Sequence, residues 1–184
     1  MAERKAGLWR IAAILLLSLV AGGLSFAQAP PTADMVKAAY LYKFSRFVEW
    51  PETGAGAEPL VIGVLGDESV ARELERIAAA NQGGGRAVVV RRIAAEDDPA
   101  GVQILFLGQA RSALSGQILE RVKGRPILTV TDADESFDKG AMIEFVLIDD
   151  RMRFIVATRP VGASALKISA LMLAAAYKVL ANPS

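Results

Sequence analysis

The feature that most constrains the fold is a regular alternation, after residue 59, of short apolar runs with amphipathic segments. Four runs of strand length, rich in Val, Ile and Leu, lie at 60–65, 87–93, 102–107 and 126–131. Helically spaced apolar residues fill 70–80 and 112–122, between the first two runs and between the last two. Continuously apolar strands are typical of sheets buried on both faces, and crossover helices favour parallel pairing. The pattern predicts an α/β fold.

The rhythm changes in the last third of the chain. Two apolar runs at 142–148 and 152–157 flank Asp149-Asp150-Arg151, which predicts a hairpin whose outer edge is either free to dock another chain or covered by the last helix. From about 162 to 180 the apolar residues are spread around a helix, which predicts one long buried helix. We therefore expect a single domain with a mixed, mostly parallel sheet of about six strands, flanked by helices and ending in a hairpin and a helix.

The N-terminal segment has the three parts of a secretory signal peptide. The basic residues Arg4, Lys5 and Arg10 precede an apolar stretch at 11–20. Ser25-Phe26-Ala27 then has the small–x–small form of a cleavage site. We expect residues 1–27 to be removed and 28–184 to form the domain in the periplasm. An uncleaved anchor is the alternative, because 11–33 contains no charge and is long enough to span a bilayer.

An aromatic-rich segment at 33–51 is predicted to form one helix that ends before Pro51. Asp34 is its expected N-cap, and Ser69 is the expected N-cap of the helix at 70–80. Its aromatic residues face more than one side of a helix: Tyr40, Tyr42, Phe44, Phe47 and Trp50. This helix either packs wholly in the core or also presents one face to a partner.

The chain contains neither histidine nor cysteine. Their absence removes the common nucleophile–base pairs, the usual transition-metal ligands and all disulfides. Lysine and arginine are scattered and never form a basic run, so a nucleic-acid partner is not expected. We expect a protein that is not an enzyme and that carries no cofactor and no metal.

Aspartates follow two of the predicted parallel strands. Asp67 comes after the first strand, and Asp132 and Asp134 come after the fourth. Open parallel sheets bind ligands outside the carboxyl ends of their strands, so these three residues are candidates for a ligand pocket. The alternative is that they are solvated turn residues.

Several of these segments resemble the YfiR-like family. The resemblance rests on 37–44 (Lys-Ala-Ala-Tyr-Leu-Tyr-Lys-Phe), 47–51 (Phe-Val-Glu-Trp-Pro), the apolar strands, Gly140-Ala141-Met142-Ile143 and 165–169 (Ala-Leu-Lys-Ile-Ser). It implies a periplasmic regulator, often a homodimer, that binds the periplasmic part of an inner-membrane diguanylate cyclase and holds that enzyme inactive. Such a protein would link an envelope signal to cyclic-di-GMP and biofilm formation.

Two departures from the family bear on the partner. The best-known member uses disulfides, which this chain cannot form, and 154–157 reads Phe-Ile-Val-Ala where members often carry Phe-Glu-Ile-Asn. The residues that we expect to face the partner lie on the first helix and the hairpin: Tyr42, Trp50, Phe154 and Ile155. The alternative function is a periplasmic small-molecule binding module with its pocket near Asp67, Asp132 and Asp134.

Overall fold

A computed structural model describes residues 30–51, 59–81, 83, 86–134 and 136–181. The helices in these ranges are α1 (Ala33–Phe47), α2 (Glu68–Ala80), α3 (Ser112–Val122), α4 (Thr158–Ala163) and α5 (Ala170–Ala175), with a 3-10 turn at Gln109–Arg111. The strands are β1 (Val48–Glu49), β2 (Leu60–Leu65), β3 (Val88–Arg92), β4 (Ile104–Leu107), β5 (Leu128–Thr131), β6 (Ile143–Ile148), β7 (Arg151–Ala157), β8 (Lys167–Ile168) and β9 (Lys178–Leu180).

Seven of these strands form one sheet in the order β3-β2-β4-β5-β6-β7-β9. The first five are paired in parallel, β7 is antiparallel to β6, and β9 is parallel to β7. The predicted α/β class and mixed, mostly parallel sheet are confirmed. The remaining strands, β1 and β8, make a separate antiparallel pair.

The sheet is covered on both faces. The larger apolar cluster joins α1 and α2 to one face, and its central side chains include Leu41, Phe44, Leu74, Phe106 and Phe145. The smaller cluster packs α3 against the other face, through Ile118, Leu119 and Val122. This two-sided burial is the reason that the central strands are apolar along their whole length.

Both predicted N-caps are wrong by two residues. The hydroxyl of Thr32 accepts a hydrogen bond from the backbone N–H of Met35, so Thr32 rather than Asp34 caps α1. The carboxylate of Asp67 accepts from the N–H of Val70 at 3.0 Å, so Asp67 rather than Ser69 caps α2. Each cap lies at the last extended residue before the helix, as capping geometry requires.

The long buried helix predicted between about 162 and 180 is wrong. The chain there forms the short elements α4, β8, α5 and β9. Strand pairing accounts for the difference: β8 pairs with β1 at the end of α1, and β9 pairs with the edge of β7. The segment is also less buried than expected, since Leu171 is 73% exposed and Tyr177 is 55% exposed.

The predicted hairpin is present. Its turn residues Asp149 and Asp150 have φ of 48° and 58°, and two successive left-handed residues are typical of a tight turn between antiparallel strands. The following chain covers part of the outer edge, because β9 pairs with Ile155–Ala157. The predicted signal peptide at 1–27 lies outside the described residues. Among the residues that are described, no helix has the length and apolar character needed to cross a bilayer.

Candidate functional site

A partly buried charge cluster lies where β2 and β5 end. The ammonium of Lys37, on α1, is 2.5 Å from Oδ2 of Asp132, 4.0 Å from Oδ2 of Asp67 and 3.7 Å from Oδ1 of Asp34. Asp132 directly follows β5, and Asp67 lies between β2 and α2. Because parallel strands end at the same edge of the sheet, two of the three aspartates predicted to line a pocket lie close to one another.

The aspartates keep Lys37 charged. Burial on its own would lower the pKa of Lys37, but the hydrogen bond to Asp132 and the charges of the three aspartates outweigh it, so the pKa is raised. The Lys37 side chain is only 11% exposed, and Oδ1 of Asp132 is buried without a hydrogen-bond partner among the described residues. A protonated lysine cannot act as a nucleophile, so the cluster is suited to fixing α1 on the sheet.

Sequence reasoning missed Lys37. The available signal was its place on α1, because positions 37, 41 and 44 recur at helical spacing and the other two are the buried Leu41 and Phe44. A lysine on an apolar stripe predicts a buried partner of opposite charge.

Asp134, the third aspartate of the predicted pocket, lies apart from Lys37 and is exposed. Its charge acts on Glu144 of β6, which is 9% exposed and has a buried Oε2 without a hydrogen-bond partner in the described part of the chain. Burial raises the pKa of Glu144, the backbone N–H of Ser136 partly opposes this, and Asp134 adds to it. Sequence reasoning also missed Glu144, although an acidic residue inside an apolar strand indicates a buried carboxyl group.

The two partner-facing candidates predicted on the first helix are half-buried. The prediction of one helix over 33–51 is wrong at its end, because α1 stops at Phe47 and Trp50 follows β1. The hydroxyl of Tyr42 accepts from Arg46 at 3.3 Å, and the Arg46 guanidinium lies 5.4 Å from the centre of the Tyr42 ring. The indole N–H of Trp50 donates to the backbone carbonyl of Gln103 at 3.2 Å, just before β4. Trp50 therefore ties the chain after α1 to the sheet, while Tyr42 interacts along its own helix.

The two candidates on the hairpin face opposite sides of β7. Phe154 is 2% exposed, and its ring centre lies 5.3 Å from that of Tyr40 and 5.1 Å from that of Phe44. Phe154 was expected to face a partner, but its side chain lies in the core. Ile155 is half-buried on the other face, in register with Glu144 on β6 and Lys178 on β9.

Exposed apolar side chains lie near the C-terminus of the described chain. We call Leu171 of α5 with Tyr177 and Val179 at β9 the C-terminal apolar set; their exposed fractions are 73%, 55% and 42%. Tyr177 and Val179 are two residues apart, so both side chains point to the same side of the edge strand. Sequence reasoning missed these residues because it placed them in a buried helix.

The described ranges hold no group of three or more acidic side chains arranged to bind a metal ion.

A comparison with curated proteins found no match. A family model described as YfiR/HmsC-like matches residues 34–177, which run from the first turn of α1 to the residue before β9. The match therefore includes nearly all of the sheet and its covering helices. The chain belongs to the YfiR/HmsC-like family.

Proposed function

We propose that this protein is an exported regulator that binds the periplasmic part of an inner-membrane diguanylate cyclase and represses it. The observation that carries the proposal is the YfiR/HmsC-like match over residues 34–177. The N-terminal charge and apolar pattern supports export, and the resemblance of the α1 sequence to the family signature supports the cyclase as partner.

Regulation by contact is favoured over catalysis. The chain lacks histidine and cysteine, and Lys37 is held in its charged form by three aspartates. The common pairs of a serine or cysteine nucleophile with a histidine base are therefore absent. The protein acts by occupying a surface of its partner.

The C-terminal apolar set is the best-supported contact surface. Each of these apolar side chains is at least 42% exposed, and aromatic residues such as Tyr177 supply much of the binding energy at interfaces. Val179 lies on the edge strand β9 and Tyr177 directly precedes that strand. Ile155 lies on β7 in register with Lys178, so its side chain faces the other side of the sheet from Val179. We add these residues to Tyr42 as partner contacts, while Trp50 contributes through the fixed position of the chain after α1.

The proposal is tested by measuring cyclic-di-GMP in cells that lack the gene. We expect the cellular cyclic-di-GMP level to rise on deletion and to return when the full chain is supplied in trans. A chain that lacks residues 1–27 should fold but fail to restore the level, because it stays on the wrong side of the membrane. An unchanged level after deletion, in a strain that expresses the protein, would contradict repression.

A further inference from the structure

A cleft lies away from the charge cluster, between the C-terminal half of α3, the loop at 137–140 and α4. Its volume is about 670 Å³, within the range of small-molecule pockets. None of Asp67, Asp132 and Asp134 lines it. The cleft is therefore distinct from the pocket that the sequence predicts.

One part of the lining of this cleft is apolar, and a buried hydroxyl lies beside it. Leu119 of α3, Phe137 and Pro160 of α4 contribute apolar surface from three separate segments. Thr129 lies 2% exposed among them, and its Oγ1 accepts a hydrogen bond from the N–H of Met142 at 3.1 Å. That bond occupies a lone pair of the hydroxyl oxygen and fixes Thr129 against the start of the next strand.

Two of the charged side chains in the lining are cations without a partner among the described residues. Lys123 is paired with Glu120 at 2.9 Å, so its charge is already balanced. The side chains of Lys139 and Arg159 make no hydrogen bond or ion pair with any residue that the structure describes, and the remaining acid of the lining is Asp138. The balance favours a ligand that carries negative charge.

The position of Lys139 is defined by a glycine. A Cβ atom placed on Gly116 of α3 would lie 3.6 Å from Cδ of Lys139, so the lysine stem lies along α3 where that helix has no side chain. Arg159 comes from the first turn of α4. Two separate elements thus each bring a cation to the same cleft.

We propose that this cleft binds a small organic anion. Its carboxylate or phosphate group pairs with Lys139 and Arg159, and its apolar body packs on Leu119, Phe137 and Pro160. Charge-assisted hydrogen bonds hold the anionic end, and the apolar lining selects against inorganic ions. This assignment adds ligand binding to a protein proposed to act through a protein partner, and it stands or falls independently of that partner.

The test is an NMR titration of the full chain labelled with ¹⁵N. The probes are benzoate, phenyl phosphate and benzyl alcohol, which share a ring and differ in the charged group. The backbone amides of Gly116, Gly124 and Gly140 report on the cleft, since all three glycines line it. We expect saturable shifts of these amides with at least one anion, and the better anion identifies the head group. Shifts of the same size with benzyl alcohol, or no saturable shift with either anion, would overturn the proposal.

Charge variants give the second arm. The double change Lys139→Gln and Arg159→Gln should weaken binding of the better anion by about tenfold or more, because charge-assisted hydrogen bonds are lost. Lys123→Gln should change it far less, since Glu120 already balances that charge, and Lys43→Gln on the exposed side of α1 is the remote control. Equal affinity in the double variant and the wild type would show that the cations do not hold the ligand.

Discussion

The ammonium of Lys37 lies 2.5 Å from Oδ2 of Asp132, and this contact joins the N-terminal half of α1 to the carboxyl end of β5 across 95 positions of sequence. Both side chains are 11% exposed, so water screens the pair weakly. The same ammonium also faces Asp34 and Asp67. One lysine therefore links a helix, the β2–α2 connection and the centre of the sheet.

Replacing Lys37 with methionine should destabilise the fold. The change keeps most of the aliphatic stem but leaves Asp132 buried without its cation, and breaking a buried pair in this way costs about 3 kcal/mol. The measurement is the free energy of unfolding from urea titration. Lys43→Met, at an exposed position of the same helix, is the control and should change it by less than about 0.5 kcal/mol.

The double variant Lys37→Met with Asp132→Leu should lose less stability than the sum of the two single variants, because it leaves no unpaired partner from this pair. Strict additivity would show that the two side chains do not interact.

The charge cluster should also make stability fall at alkaline pH. The pKa of Lys37 is raised above its ordinary value of 10.5, so the folded state holds the proton more tightly than the unfolded state does. Its contribution is fully present below pH 10.5 and is lost as the pH rises through the folded pKa. Unfolding curves recorded from pH 9 to pH 11.5 should show a larger decline for the wild type than for Lys37→Met. Parallel declines would contradict the assignment.

Glu144 should give a loss of stability of the same sign, but at acidic pH. Burial raises its pKa above 4.5 in the folded state, so its favourable contribution is present below that pH and is lost as the pH rises through the folded pKa. Glu144→Gln removes this loss, and at pH 7 it should raise the free energy of unfolding by about 1 kcal/mol. At pH 4 the two proteins should be nearly equal. Asp134→Asn is the matched control, since it removes the nearby negative charge and should give a smaller gain of the same sign.

Substitutions of Trp50 and of Tyr42 should differ in their effect on the stability of the fold. Trp50→Phe removes the indole N–H that donates to Gln103, and the loss of that hydrogen bond costs about 1 kcal/mol. The carbonyl of Gln103 keeps its second donor, the N–H of Leu128, so a larger loss is not expected. Tyr42→Phe removes a hydroxyl that bonds only at the exposed surface, and its melting temperature should stay close to that of the wild type.

Core and surface apolar residues of the C-terminal part should also behave differently. Phe154→Ala opens a cavity beside Tyr40 and Phe44 and should cost about 3–4 kcal/mol of unfolding free energy. Leu171→Ser lies at a position that is 73% exposed, so unfolding should change little while repression of the cyclase weakens. Cyclic-di-GMP levels in complemented cells measure the second effect. Full repression by Leu171→Ser together with Tyr177→Ser would exclude this surface.

The central sheet could be predicted because its strands and helices are determined by the local pattern of apolar residues. Apolar runs of strand length and amphipathic spacers determine which segments are strands, and the crossover rule then makes Asp67 and Asp132 neighbours at one edge. The C-terminal region could not, because 162–180 is rich in Ala, Leu and Lys, which favour helix in isolation. Pairing of β8 with β1 and of β9 with β7 overrides that preference. Lys37 and Glu144 were missed because a residue type alone does not report burial.

The most direct measurement of the central claim is site-specific crosslinking in living cells. A photo-crosslinking p-benzoylphenylalanine replaces Leu171 in one strain and the exposed Arg76 of α2 in a control strain, and captured proteins are identified by mass spectrometry. We expect position 171, and not position 76, to capture an inner-membrane protein with a diguanylate cyclase domain. The same photo-crosslinking residue is also placed at positions 42 and 177. Failure to capture such a cyclase at position 171, and at both of these positions as well, would contradict a repressor that acts through these contacts.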